Sequence, residues 1–296
     1  MRVQSLSGCG TALVTPFDAD GSLDEDALRR LVEWQIEEGI HFLVPCGSTG
    51  EAATMSFEEH LRVVEITAEQ VDGRVPVVAG AGSNDTAKCI HLSRAVVARG
   101  ATHLLVVSPM YNRPPQRGLI AHFEAIANAV DVPVLLYNVP SRTACNMEAA
   151  TTLALAEHPA VIGIKEASGN LGQITEVLMK RPTGFSLLSG DDDLTLPIMA
   201  LGGEGVVSVV SNAAPRAMSE LVTAMRRGDL KRARRLQAAL HQLMSAAFLE
   251  SNPIPIKAAL AELGRVGETV RSPLMPLADC HRSAVKAALE SVEAAL

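Results

Sequence analysis

The run Val161-Ile162-Gly163-Ile164-Lys165-Glu166-Ala167-Ser168 places a lysine at the end of a short apolar segment. An ammonium group is costly to bury there. With Ile162 and Ile164 as its walls, Lys165 is expected to have a lowered pKa, giving a neutral amine able to attack a carbonyl. The alternatives are that it snorkels to solvent or pairs with a carboxylate such as Glu166. The chain's only two tyrosines, Tyr111 and Tyr137, each precede an asparagine. A phenol held in a hydrogen-bonded relay can pass a proton; otherwise each ring is core with a solvated hydroxyl. Gly47-Ser48-Thr49-Gly50 offers hydroxyls and approachable backbone N–H groups able to hold a carboxylate, or else is a plain strand-to-helix turn. Arg142, after Pro140-Ser141, could fork onto a second carboxylate, or lie on the surface.

Other groups point away from chemistry. Cys46 has no histidine in evident triad relation and reads as a buried structural thiol. The eight histidines lack ligand spacing, so no metal site is indicated. Gly202-Gly203-Glu204-Gly205 reads as a turn, and Asp191 to Asp193 as a helix N-terminal cluster favoured by the dipole.

What must position these residues is a series of short, β-branched apolar runs at 11–17, 42–47, 75–82, 103–109, 132–140, 161–168, 185–192 and 205–212. Most are continuous rather than alternating, as in strands buried on both faces. Amphipathic helical patterns fill the gaps. The first ends at Gly39 and opens on Ser22-x-x-Glu25; the second opens on Ser56-x-x-Glu59, and both openings read as capping boxes. The third ends at Gly100. Eight strands alternating with helices predict an α/β parallel barrel, the (β/α)8 TIM barrel. An open doubly wound sheet is the rival, weakened by the lack of G-x-G-x-x-G after the first strand. Beyond residue 213 the pattern turns helical, over 215–227, 229–249, 255–264 and 280–295, with prolines as breaks. The expected organisation is a barrel over 1–228 and a C-terminal helical appendage over 229–296. In such a barrel the strand C-termini carry the chemistry, and Ser48, Thr49, Tyr111, Tyr137, Arg142, Lys165 and Gly190 all fall there.

The 296 residues are 48% hydrophobic, enough for a large core. The formal net charge of −7 argues against a nucleic-acid or anionic-membrane partner. Five cysteines without a C-x-x-C pair fit a reducing cytoplasm. The opening MRVQSLSGCG has no long apolar run, so no signal peptide is expected, and no run approaches the roughly 20 residues of a membrane span.

Taken in order, GSTGE, YNRP, YNVPSRT, GIKEASGN, LLSGDD and NPIP resemble the dihydrodipicolinate synthase family, within the pyruvate-dependent class I aldolases and lyases that include N-acetylneuraminate lyase. The likeness runs from about residue 8 to the C-terminus. It implies that Lys165 forms a Schiff base with pyruvate and that Tyr137 shuttles protons. Thr49 would link Tyr137 to Tyr111 by hydrogen bonds, and Tyr111 would reach into a neighbouring subunit of a homotetramer. Ser48 and Thr49 would hold the pyruvate carboxylate and Arg142 that of L-aspartate 4-semialdehyde. Gly190 and Val207 would complete the substrate-binding set. No metal or organic cofactor is implied beyond the covalent imine. The alternatives are a lyase or aldolase of the same group acting on a sugar-derived 2-keto acid, against which Arg142 and YNVPSRT argue, and a pyruvate-binding sensor that has lost catalysis.

Two departures from the family pattern matter. Ser48 stands where threonine is usual, keeping the hydroxyl. Phe57, Lys88 and Met110 stand where lysine-inhibited members carry histidine, glutamate and tyrosine, although His60 and Asn84 match. Lys88 places a cation where the effector's ammonium is expected, so feedback inhibition by L-lysine is expected to be weak or absent.

Overall fold

The computed structural model describes residues 5–293. Residues 1–4, part of the opening stretch read for a signal, lie outside it, as do positions 294 and 295 of the last expected helix.

Eight parallel strands run around the centre: β1 (Gly8–Ala12), β2 (Phe42–Val44), β3 (Val78–Gly80), β4 (His103–Val107), β5 (Val134–Asn138), β6 (Val161–Glu166), β7 (Ser186–Ser189) and β8 (Gly205–Ser208). Their order is β2-β1-β8-β7-β6-β5-β4-β3, and a parallel bridge from Leu43 to Val77 joins the two ends. The fold is the (β/α)8 barrel. The first expected strand, 11–17, sits further upstream as β1, and Thr15 instead donates its hydroxyl to Gly50 O at 2.8 Å.

Strand alternation separates two apolar layers. Phe42, Val44, Val78, Leu105, Leu135, Leu188 and Val207 fill the barrel interior. Leu43, Leu104, Ile164 and Leu187 face the surrounding helices in a second cluster, which continues into Leu240, Ile256 and Val285 of the C-terminal helices. Those helices span Leu230–Ala246, Ile254–Glu262 and Asp279–Glu293.

Helix starts follow local chemistry, with one correction. Ser56 caps the helix Phe57–Val71 with a full capping box through Glu59. Ser22 does not cap the first helix. Asp24 does, accepting from Ala27 N at 2.8 Å, while the Ser22 hydroxyl donates to Asp20. The chain from 17 to 23 pairs with itself through Phe17 and Leu23, and this pushes the helix start two residues on.

Candidate active site

β5 and β6 set the central pair. Their register shifts between Val134 and Leu135, which places Tyr137 opposite Lys165. Lys165 also pairs in register with Leu188 on β7. Tyr137 and Leu188 belong to the interior cluster, so Lys165 enters the barrel beside them. The expected wall at Ile164 is corrected by the same alternation, because Ile164 faces the helix layer. Lys165 is 5% exposed, and its Nζ lies 4.2 Å from the centroid of the Tyr137 ring.

Glu166 does not pair with Lys165. Buried on the other face of β6, its carboxylate accepts from Asn138 Nδ2 at 3.2 Å, Ser168 N at 2.7 Å and Gln173 Nε2 at 3.3 Å. Burial raises its pKa, and these hydrogen bonds oppose the rise. Among the described residues, Lys165 Nζ makes no hydrogen bond or ion pair.

A cavity of about 480 Å³ opens over the mouth. Ser48, Tyr137 and Arg142 line it, together with Gly47, His60, Met110 and Asn252. The Ser48 loop is folded tightly: Glu51 N donates to Ser48 O, Gly50 N to Gly47 O, and Cys46 takes a left-handed φ of 56°. Gly80 makes room for it, since a Cβ there would sit 2.1 Å from Cys46 O. Cys46 is buried, and burial pushes its thiol pKa well up, as suits an inert core thiol.

Thr49 is buried, and its Oγ1 accepts from Asn252 Nδ2 at 2.9 Å. That bond, rather than the expected link to Tyr137 and Tyr111, is what the single chain holds. Arg142 Nη2 donates to Asn252 O at 3.3 Å. Gly190 packs so closely that a Cβ would meet Lys165 Cε at 3.2 Å and Ala167 Cβ at 2.6 Å, so any side chain there would crowd the lysine. Val207 is fully buried in the interior cluster. Tyr111 stands apart. It lies on the loop after β4 with a φ of 71°, is 90% exposed, and does not line the cavity.

Carboxylates beneath the mouth differ from expectation. Asp192 is buried, and its Oδ2 accepts from Val209 N at 2.9 Å and Val210 N at 3.0 Å, fixing the end of β8. It is therefore a strand anchor rather than part of a helix-dipole cluster. Asp191 is raised to about 6, first by burial, then by the like charge of Asp193, while the Lys165 cation pulls the other way.

Sequence reasoning missed Asn252, Glu51 and Lys257. Lys257 is fully buried, with Nζ 2.6 Å from Glu51 Oε1 and donating to Thr269 O at 2.7 Å. Glu51 Oε2 accepts from Arg271 N at 3.0 Å. The glutamate of GSTGE thus ties the loop after β2 to the C-terminal segment. The motifs GSTGE and NPIP contained two of the partners, but nothing local showed that they meet across 203 positions of chain.

The profile of the dihydrodipicolinate synthetase family matches residues 5–292. A 4-hydroxy-tetrahydrodipicolinate synthase of Koribacter versatilis (strain Ellin345) is 54% identical over 279 residues, covering 94% of this chain and 93% of that one. The solved 4-hydroxy-tetrahydrodipicolinate synthase of Methylacidiphilum fumariolicum SolV superposes with a TM-score of 0.96 at 43% identity, covering 98% of this chain and 97% of that one. A structure described as the first monomeric dihydrodipicolinate synthase variant superposes at 0.95 with 39% identity, covering 97% of each chain. With the barrel and its mouth already described, these matches over nearly the whole length lead to one conclusion: the chain belongs to the dihydrodipicolinate synthetase family.

Proposed function

We propose that the chain is a class I lyase that condenses pyruvate with L-aspartate 4-semialdehyde to 4-hydroxy-tetrahydrodipicolinate, in lysine and diaminopimelate biosynthesis. The observation that carries the reading is a buried lysine without a carboxylate partner, 4.2 Å from a tyrosine ring that lines the same cavity as Ser48 and Arg142.

The unprotonated Lys165 amine attacks the pyruvate ketone, and loss of one water leaves an imine. The imine withdraws electrons, so a methyl proton leaves and an enamine forms. Its carbon bonds to the aldehyde carbon of the second substrate, whose oxygen takes up a proton and becomes the 4-hydroxyl. The substrate's own amine then displaces Lys165, closing the ring and freeing the lysine. Tyr137 carries protons in these steps, a role its position beside Lys165 supports. Ser48 and Thr49 hold the pyruvate carboxylate, and Arg142 holds that of the aldehyde. Gly190 keeps space beside the lysine, and Val207 forms an apolar wall. Activation by the lysine leaves no step that requires a metal or organic cofactor.

A homotetramer in the cytoplasm is the assembly we propose, with Tyr111 completing a neighbour's site. The exposure of Tyr111 on its loop supports this. No helix among the described residues is long and apolar enough to cross a membrane.

Borohydride reduction in the presence of pyruvate, followed by peptide mass mapping, tests the nucleophile. The expected result is a reduced pyruvyl adduct on Lys165, and an unmodified Lys165 overturns the reading. Turnover of pyruvate with aspartate semialdehyde, compared with sugar-derived aldehydes, tests the acceptor.

A further inference from the structure

We propose that Asn252 is a positioning residue that makes Thr49 a hydrogen-bond donor toward the bound 2-keto acid, an inference that rests on the reading of Lys165 and Thr49 above. A threonine hydroxyl has one proton and two lone pairs. Asn252 Nδ2 donates to Thr49 Oγ1 at 2.9 Å, with both residues buried. That bond occupies a lone pair and turns the hydroxyl proton away from the amide. A carboxylate arriving at the mouth then meets an O–H and not an oxygen lone pair.

The surroundings hold Asn252 for this task. Its Oδ1 is buried without a hydrogen-bond partner, so among the described residues the side chain's hydrogen bond is the one to Thr49. Its backbone carbonyl accepts from Arg142 Nη2 at 3.3 Å, so the same residue touches both groups assigned to substrate carboxylates. It leads into the helix Ile254–Glu262, whose Lys257 is pinned to Glu51, two residues beyond Thr49. The C-terminal segment thereby sets the polarity of a buried hydroxyl on the turn after β2, next to the cavity-lining Ser48.

A mere packing peg and a polarity-setting donor respond differently to an isostere. Asparagine to aspartate keeps the shape but leaves only acceptors, which draw the Thr49 proton toward position 252. The readout is the rate of borohydride-trapped adduct formation with pyruvate alone, in the full chain, so that Arg142 and the aldehyde play no part. Thermal melting of each variant accompanies it. Asn252→Ala is expected to slow trapping by roughly 3- to 10-fold and Asn252→Asp by roughly 10- to 100-fold, the order of one lost or inverted hydrogen bond. In a Thr49→Val background, Asn252→Ala and Asn252→Asp are expected to react at the same rate. This second comparison separates the proposed route from repulsion of pyruvate by the new carboxylate. The proposal is overturned if Asn252→Asp traps pyruvate at least as fast as Asn252→Ala, or if the difference between them persists without the Thr49 hydroxyl. A wild-type chain that gives no Lys165 adduct overturns the broader reading first, whereas a reactive wild type with indifferent Asn252 variants removes only the role of Asn252.

Discussion

Two lysines are buried among the described residues, and their surroundings differ. Lys257 is 0% exposed and directly paired: Glu51 at 2.6 Å, the Thr269 carbonyl at 2.7 Å, and the Phe17 ring at 4.3 Å. Lys165 has a ring at a similar distance but neither carboxylate nor carbonyl. Breaking a buried ion pair strands a charge, so a paired lysine belongs to the architecture. A lysine with no hydrogen bond or ion pair of its own is not committed to the architecture in that way. Burial is common to both lysines; the direct ion pair is not.

The largest effect that tests this contrast is on activity. Lys165→Ala is expected to lower kcat by about 10⁴-fold or more, since no other group can form the imine. The same variant is expected to melt within a few degrees of wild type, or above it, because it removes a buried polar side chain that holds no hydrogen bond or ion pair. Steady-state assay with thermal melting checks both; an activity loss explained by unfolding would break the comparison.

Lys257→Met is expected to behave in the opposite way. It leaves Glu51 buried without its cation and should cost about 3–5 kcal/mol of stability. The double variant Lys257→Met, Glu51→Gln should recover part of that loss, as read from denaturant midpoints. If Lys257→Met were silent, the ion pair would not be the architectural member of the contrast.

A smaller effect links Lys165 to Asp191. The Asp191 pKa stands at about 6, raised above its ordinary value chiefly by burial, with Lys165 holding it down. A carboxyl whose folded pKa is raised contributes stability below its unfolded pKa of about 4, and loses it as pH rises through about 6. Asp191→Asn should therefore gain stability over wild type above pH 6 and show no gain below pH 4. In Lys165→Ala the Asp191 titration should move above 6, which carboxyl NMR can follow. A titration unmoved by loss of Lys165 would show that the two groups are not coupled.

The smallest expected effect is on regulation. Lys88 is exposed near the start of the helix Thr86–Ala98, Phe57 stacks on His91 at 5.0 Å, and Met110 lines the cavity. Low-millimolar L-lysine should leave turnover nearly unchanged, and clear inhibition in that range would refute the expectation drawn from Lys88.

The eight strands, the helical tail, and Lys165, Tyr137, Ser48 and Arg142 near one mouth were all legible in the chain, because hydrophobic runs and strand ends are local properties. Direction was less legible. Ile164 was read as a wall of Lys165, but strand alternation turned it to the helices. Asp191 to Asp193 read as one cluster, but Asp192 went inward to anchor Val209 and Val210. Ser22 lost its capping role to Asp24 once Phe17 paired with Leu23.

By itself, then, the sequence determined the barrel, the place of Lys165 on β6, and the hydroxyl-rich turn after β2. Each follows from side-chain type and spacing within a few residues. Only the tertiary structure decided which buried lysine is directly paired, and that Asn252 meets both Thr49 and Arg142. Those partners lie 203 and 110 positions apart along the chain, and charge compensation and hydroxyl polarity depend on which atoms finally touch.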